Sequence, residues 1–201
     1  MKLKDLLESP QSVGSTEFGL DNVESNKKFG YELLNGIKSR YKNKTPLRKI
    51  DGSTLWELKK QYALIRDEDH YVSYYMKFEF NNIKFINRMC VSQVAVWRSK
   101  TYIPDPYITK TIFQDLIFKY KTVITDSMQT EAGQRFWALR IADALMDSKL
   151  YVYYLNYTKI NQELIELHSQ EDYGKIMMNK ASYGDSREYQ AKRFVITTDP
   201  F

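Results

Sequence analysis

The chain has few of the residues that build metal or redox centres. A single cysteine, Cys90, excludes an intramolecular disulfide and any cysteine-rich zinc site. The two histidines, His70 and His168, lie far apart and have no ligand-type neighbours at helical spacing, so no metal site is assigned. No apolar run approaches the roughly 20 residues that a membrane-spanning helix needs, so no membrane partner is expected. No signal peptide is recognised, and the expected compartment is the cytoplasm. Glycine is absent from the whole stretch between Gly52 and Gly133, which removes the backbone freedom that phosphate-cradling loops use.

What is present suffices for one substantial domain with an extension. Of the 201 residues 43% are hydrophobic and 14% aromatic, enough for a proper core and too many for disorder throughout. A formal charge of +5 suits an anionic ligand such as a nucleotide or phosphorylated cofactor, and equally nucleic acid, without choosing between them.

The clearest local unit runs from Thr122 to Leu145. A β-branched strand, Thr122 to Thr125, meets a polar turn, Asp126 to Thr130, and then a helix, Glu131 to Leu145, with Thr130 as its cap. Trp137, Ile141, Ala144 and Leu145 recur at helical spacing and Phe136 and Ala138 widen that face, so the helix should lie across a sheet. In open α/β sheets ligands sit beyond the carboxyl ends of strands, here the Asp126–Gln129 turn; the plainer reading is that both side chains satisfy loop backbone.

Met1 to Glu8 reads as a short helix, residues 11–25 as a loose connection, and Asn26 to Lys42 as an amphipathic helix with Phe29, Leu33, Ile37 and Tyr41 inward, weakened by Gly30 and Gly36. The period then becomes two. Leu55 to Ile65 reads as one strand and Tyr71 to Phe80 as the next; Asn81-Asn82 is a turn, and Cys90 to Arg98 a central strand with Cys90 as a small core residue. Tyr107 to Lys119 is a helix with Ile108, Ile112, Phe113, Leu116 and Ile117 inward and Asp105 as its cap. Leu150 to Tyr157 is a strand, Ile160 to His168 a short helix, Glu171 to Tyr189 an exposed or mobile insertion, and Phe194 to Thr198 a last strand.

This order of elements, from Leu55 to Thr198, resembles the GNAT (N-acetyltransferase) superfamily. The segments Val96-Trp97-Arg98, Asp126-Ser127-Met128-Gln129-Thr130 and Gly133-Gln134-Arg135-Phe136-Trp137 are similar to a group of phage-encoded GNAT-like proteins. The resemblance implies an α+β fold, a central mixed, mostly antiparallel sheet of 6–7 strands flanked by helices over residues 51–201, behind an N-terminal helical extension over residues 1–50. It implies acetyl-CoA as the cofactor, held by the fourth strand, its loop and the next helix. The candidate cofactor-binding residues are Val96, Trp97, Arg98, Lys100, Ile108, Thr109, Lys110, Ser127 and Gln129. Asp126 is the candidate base, and Tyr153 or Tyr154 the candidate donor to the departing thiolate.

The chain departs from the family at the pyrophosphate loop, a Gln/Arg-x-x-Gly-x-Gly/Ala stretch there and a segment without glycine here. Asp105, as a helix cap, would compete with a phosphate for the same amides and repel it. Three functions follow. The first is an acyl-CoA-dependent N-acyltransferase, whose partners are a CoA thioester and an amine acceptor. The second is a catalytically silent GNAT-like protein that acts as an interaction protein for a host or phage macromolecule. The third is a nucleic-acid-binding or virion-associated protein using the basic stretch from Lys38 to Lys49. Pairing of strand edges into a homo-oligomer is open to the last two.

Overall fold

The computed structural model describes residues 20–35, 44–102, 107–126, 131–158, 162–180 and 191–201. The expected helix over 1–8, the caps Asp105 and Thr130, and the candidates Ser127 and Gln129 lie outside them. Among the described residues the chain is a mixed α+β protein with four α-helices and nine strands, mostly antiparallel, which exceeds the six or seven strands expected. The described residues divide into two compact units, one built from those between 20 and 78 with those between 94 and 109, the other from 79–93 with those from 110 on.

The first unit contains helix α1 (Val23–Asn35), strands β1 (Thr45–Ile50), β2 (Ser53–Leu58) and β3 (Gln61–Arg66), and most of β4 (Val72–Ile83). Asn22 caps α1: its Oδ1 accepts the Ser25 N–H at 3.0 Å. The stretch expected as one strand from Leu55 to Ile65 is the hairpin β2–β3, closed by a two-residue turn between Leu58 and Gln61. Lys60 sits there at φ +60, a left-handed position with none of the Asn or Gly that usually announces it. Strands β1 to β4 pair as an antiparallel meander. Pro46 falls at the β1 irregularity on the edge, where a missing N–H is tolerated. Leu20 and Leu33 pack with Leu58, Ala63, Ile65, Tyr71, Val72, Tyr75 and Trp97. Gly30, expected to weaken α1, instead permits a close crossing, since a Cβ there would lie 1.9 Å from the His70 carbonyl oxygen.

In the second unit β4 runs on through Asn81-Asn82, so the expected turn there is corrected: the chain reverses at a 3-10 turn, Lys84–Ile86, and at Asn87, φ +50. Asn81 points across to β5 (Arg88–Arg98), donating to Ser92 Oγ at 2.7 Å. Helix α2 (Ile108–Tyr120), β6 (Thr122–Ile124), α3 (Glu131–Leu145), β7 (Tyr151–Tyr157), β8 (Gln162–Leu167), α4 (Gln170–Lys180) and β9 (Lys192–Thr197) follow. The strand order is β5-β6-β9-β7-β8; β5 and β6 are parallel and the β6–β9, β9–β7 and β7–β8 pairs antiparallel.

Two elements differ from the sequence expectation. The helix expected from Ile160 to His168 is strand β8: Leu164 and Leu167 satisfy a helical spacing, but every residue from Gln162 to Leu167 is registered against β7. The insertion expected from Glu171 contains α4, started by a reciprocal cap in which Ser169 Oγ accepts the Asp172 N–H and Asp172 Oδ2 accepts the His168 N–H, each at 3.1 Å. One face of the sheet buries Cys90, Ile124, Tyr153, Leu155 and Val195 together. Phe113, Phe136 and Trp137 join α2 to α3 with edge-to-face rings 5.3–6.5 Å apart.

Candidate functional site

The candidate residues divide between the two units, and each half is built differently. In the first unit, Val96 and Trp97 near the end of β5 are core residues, 1% and 2% exposed, and the Trp97 indole donates to Asp21 at 3.2 Å. Ile108 opens α2 fully buried, Thr109 is half-buried, Arg98 is half-buried and Lys100 is exposed. Of these, Arg98, Lys100 and Thr109 carry polar side chains short of full burial, whereas Val96, Trp97 and Ile108 belong to the core.

The turn after β5 holds a residue that sequence reasoning missed. Ser99 is buried, its hydroxyl accepting the N–H groups of Thr101 at 3.1 Å and Tyr102 at 2.9 Å and sharing a hydrogen bond with the Tyr71 hydroxyl at 3.0 Å. Two amides that a phosphate-binding loop would turn outward are thereby held by a side chain of the loop itself. The available signal is a serine two and three residues before those amides, the spacing of a serine turn.

In the second unit Asp126 lies two residues beyond β6, after Thr125, and is half-buried. Its position is fixed by Thr125, whose N–H donates to the Phe194 carbonyl at 2.9 Å, whose hydroxyl accepts the Phe194 N–H at 3.1 Å, and whose carbonyl accepts from Arg193 at 2.9 Å. Tyr153 and Tyr154 are neighbours on β7 and point to opposite faces. The Tyr153 hydroxyl accepts the Phe201 N–H at 3.4 Å, and burial raises its pKa above the usual tyrosine value. Tyr154 is fully buried against Phe194, and burial pushes its pKa up to about 12. Cys90, also buried, has its thiol pushed up to about 12 by the same cause and is no nucleophile.

The second unit also contains a cleft of about 420 Å³ between α2 and the end of α3. Lys110, the remaining cofactor candidate, lies on its rim with Nζ 3.6 Å from Asp143 Oδ2. Arg140 lines the same cleft at 9% exposure. Its Nη2 is 3.3 Å from that carboxylate oxygen, while Nε and Nη1 are buried without any hydrogen-bond partner. Burial lowers the Arg140 pKa and Asp143 partly opposes the shift. Sequence reasoning missed Arg140: its spacing, four residues after Phe136 and four before Ala144, sets it on the apolar stripe of α3 but does not by itself show that the charge is buried.

No protein-family model matches the chain, and no curated protein matches it. Among the described residues no helix is long and apolar enough to cross a membrane. What fold and site define is a class, a mixed α+β protein with a mostly antiparallel sheet, one parallel strand pair, and a half-buried carboxylate at the end of one strand of that pair.

Proposed function

We propose that the chain is an acyl-CoA-dependent N-acyltransferase of GNAT-like fold. The observation that carries this reading is the unequal pairing of β6, which is registered with β9 at three residues but with β5 only at Val91↔Val123. The parallel contact is short, so most of β5 has no register with β6, and in the GNAT superfamily the pantetheine arm of acetyl-CoA pairs against a strand that parts from its parallel neighbour. Asp126, at the carboxyl end of β6, is the base of this proposal, taking the proton from the acceptor ammonium. The freed amine attacks the thioester carbonyl, the new C–N bond forms, the C–S bond breaks, and the thiolate leaves. Burial raises the Tyr153 pKa, with the hydrogen bond from the Phe201 N–H opposing the shift, so the hydroxyl keeps its proton at neutral pH until the thiolate takes it, and regains one from the nitrogen of the new amide.

The test is release of free thiol from acetyl-CoA in the presence of polyamines, aminoglycosides and lysine peptides. Asp126→Asn should lower any observed rate on the order of 100-fold. An unchanged rate in that variant removes Asp126 from the chemistry. A second reading, a GNAT-like protein that performs no transfer and binds another macromolecule, is favoured by Ser99, which already fills the Thr101 and Tyr102 amides. It predicts no thiol release with any acceptor, and Ser99→Ala, which frees those amides, should then strengthen acetyl-CoA binding.

A further inference from the structure

The cleft between α2 and α3 is lined by polar and apolar side chains in equal number, Phe113, Ile117 and Leu150 among the apolar ones, and it carries a nearly buried guanidinium. The ionisable groups facing it are Lys110, Arg140, Asp143 and Asp147. Asp147 serves the chain turn, its Oδ1 accepting the Lys149 N–H at 3.0 Å. That leaves Asp143 shared by both cations at 3.6 and 3.3 Å, longer than the ~2.7–2.9 Å of a tight charge-assisted hydrogen bond. The Nε and Nη1 donors of Arg140 have no hydrogen-bond partner, where buried donors are ordinarily satisfied, and the guanidinium lies over the Phe136 ring, 5.7 Å from its centroid. They are closed to solvent, and they belong to a side chain that lines the cleft.

We propose that this cleft binds a small organic acid, its carboxylate held by Arg140 and Lys110 and its apolar body laid on Phe113, Ile117 and Leu150. The volume of about 420 Å³ falls in the range of small-molecule sites, which are mostly apolar with a few placed polar groups. A guanidinium suits a carboxylate because its planar fork donates several N–H groups at once. The site shares Lys110 with the cofactor candidates of the acyl-transfer reading, but neither β5 nor Asp126 lines the cleft.

The experiment is calorimetric titration of the full chain with sodium octanoate, with octanol as its uncharged counterpart and inorganic phosphate as an anion without an apolar body. Octanoate should saturate one site below about 1 mM, with octanol and phosphate each at least roughly tenfold weaker. Arg140→Met should weaken octanoate by at least about tenfold and Lys110→Met by a few-fold. Equal binding of octanoate and octanol, equal binding of phosphate, or undiminished octanoate binding in Arg140→Met each overturns the assignment, as does the lack of saturation at about 10 mM octanoate, a free energy too weak for a built site. Should Arg140→Met fail to fold, Lys110→Met decides, because Lys110 is half exposed on the rim and its loss leaves the core intact; unchanged octanoate affinity there overturns the site.

Discussion

Asn26 and Arg140 are both buried polar side chains on the inward face of a helix, one in each unit, and they are treated in opposite ways. Asn26, fully buried on α1, makes three hydrogen bonds: Nδ2 to the Leu20 carbonyl at 3.0 Å and the Val72 carbonyl at 3.1 Å, with Oδ1 accepting the Val72 N–H at 2.7 Å. It joins the helix to the start of β4, and its environment is complete. Arg140 on α3 has one shared carboxylate at 3.3 Å and two N–H groups without an acceptor. A satisfied buried amide specifies a fold, whereas an unsatisfied buried cation destabilises it unless something else benefits. The difference separates a residue kept for structure from one kept for binding.

The comparison can be broken in order of expected effect. Trp137→Ala removes the largest side chain of the α2–α3 contact, 2% exposed against Phe113 and Phe136, and should lower the unfolding free energy by on the order of 3–5 kcal/mol in urea. A nearly unchanged midpoint would mean that the helices beside the cleft are loosely packed, and the orphaned guanidinium would lose its meaning. Asn26→Ala should cost about 3 kcal/mol, since the Val72 N–H and two carbonyls lose their partners in the core. Arg140→Met should do the reverse, leaving the midpoint unchanged or raising stability by about 1 kcal/mol, because a buried charge with incomplete pairing gives way to an apolar side chain. If both variants destabilise equally, the two residues play the same role and the distinction fails.

A smaller effect lies in the first unit. The Thr54 hydroxyl, donating to Asp67 at 2.6 Å, and then Lys49 at 3.1 Å hold the Asp67 pKa below the usual carboxylate value. A depressed carboxylate stabilises fully above its unfolded pKa near 4 and loses that contribution as pH falls through its folded value. Thr54→Val should therefore cost less than about 1 kcal/mol at pH 7, Asp67 being well exposed, and the gap to wild type should narrow as pH drops below about 4. A constant gap would assign the loss to packing. At Cys90, a thiol reagent at pH 8 should label the native protein slowly and the urea-unfolded protein rapidly; fast native labelling would show that the buried sheet face opens.

The helices flanking the cleft were readable because their patterns are strong and locally punctuated. Glu131 to Leu145 has the same bounds in sequence and structure, and Tyr107 to Lys119 is displaced by one residue. The β2–β3 hairpin was hidden because Lys60 adopts a left-handed conformation without a residue type that signals it. Strand β8 was hidden because Gln162 to Leu167 has one buried residue, so neither period stands out. Of the candidate site, Asp126 at a strand end was readable from strand–turn–helix grammar, while Ser99 depends on the turn that its own hydroxyl closes. Arg140 was passed over because the stripe Phe136, Trp137, Ile141 and Ala144 reads as core with or without it; only burial shows that the charge lies inside.

The parallel β5–β6 pair, registered at Val91↔Val123, is the centre of the functional account, and titration of the purified chain with acetyl-CoA by calorimetry at low and moderate salt tests it most directly. The account predicts saturable one-to-one binding in the micromolar range, abolished neither by moderate salt nor by octanoate. An absence of heat and of any thermal shift at millimolar acetyl-CoA would contradict it.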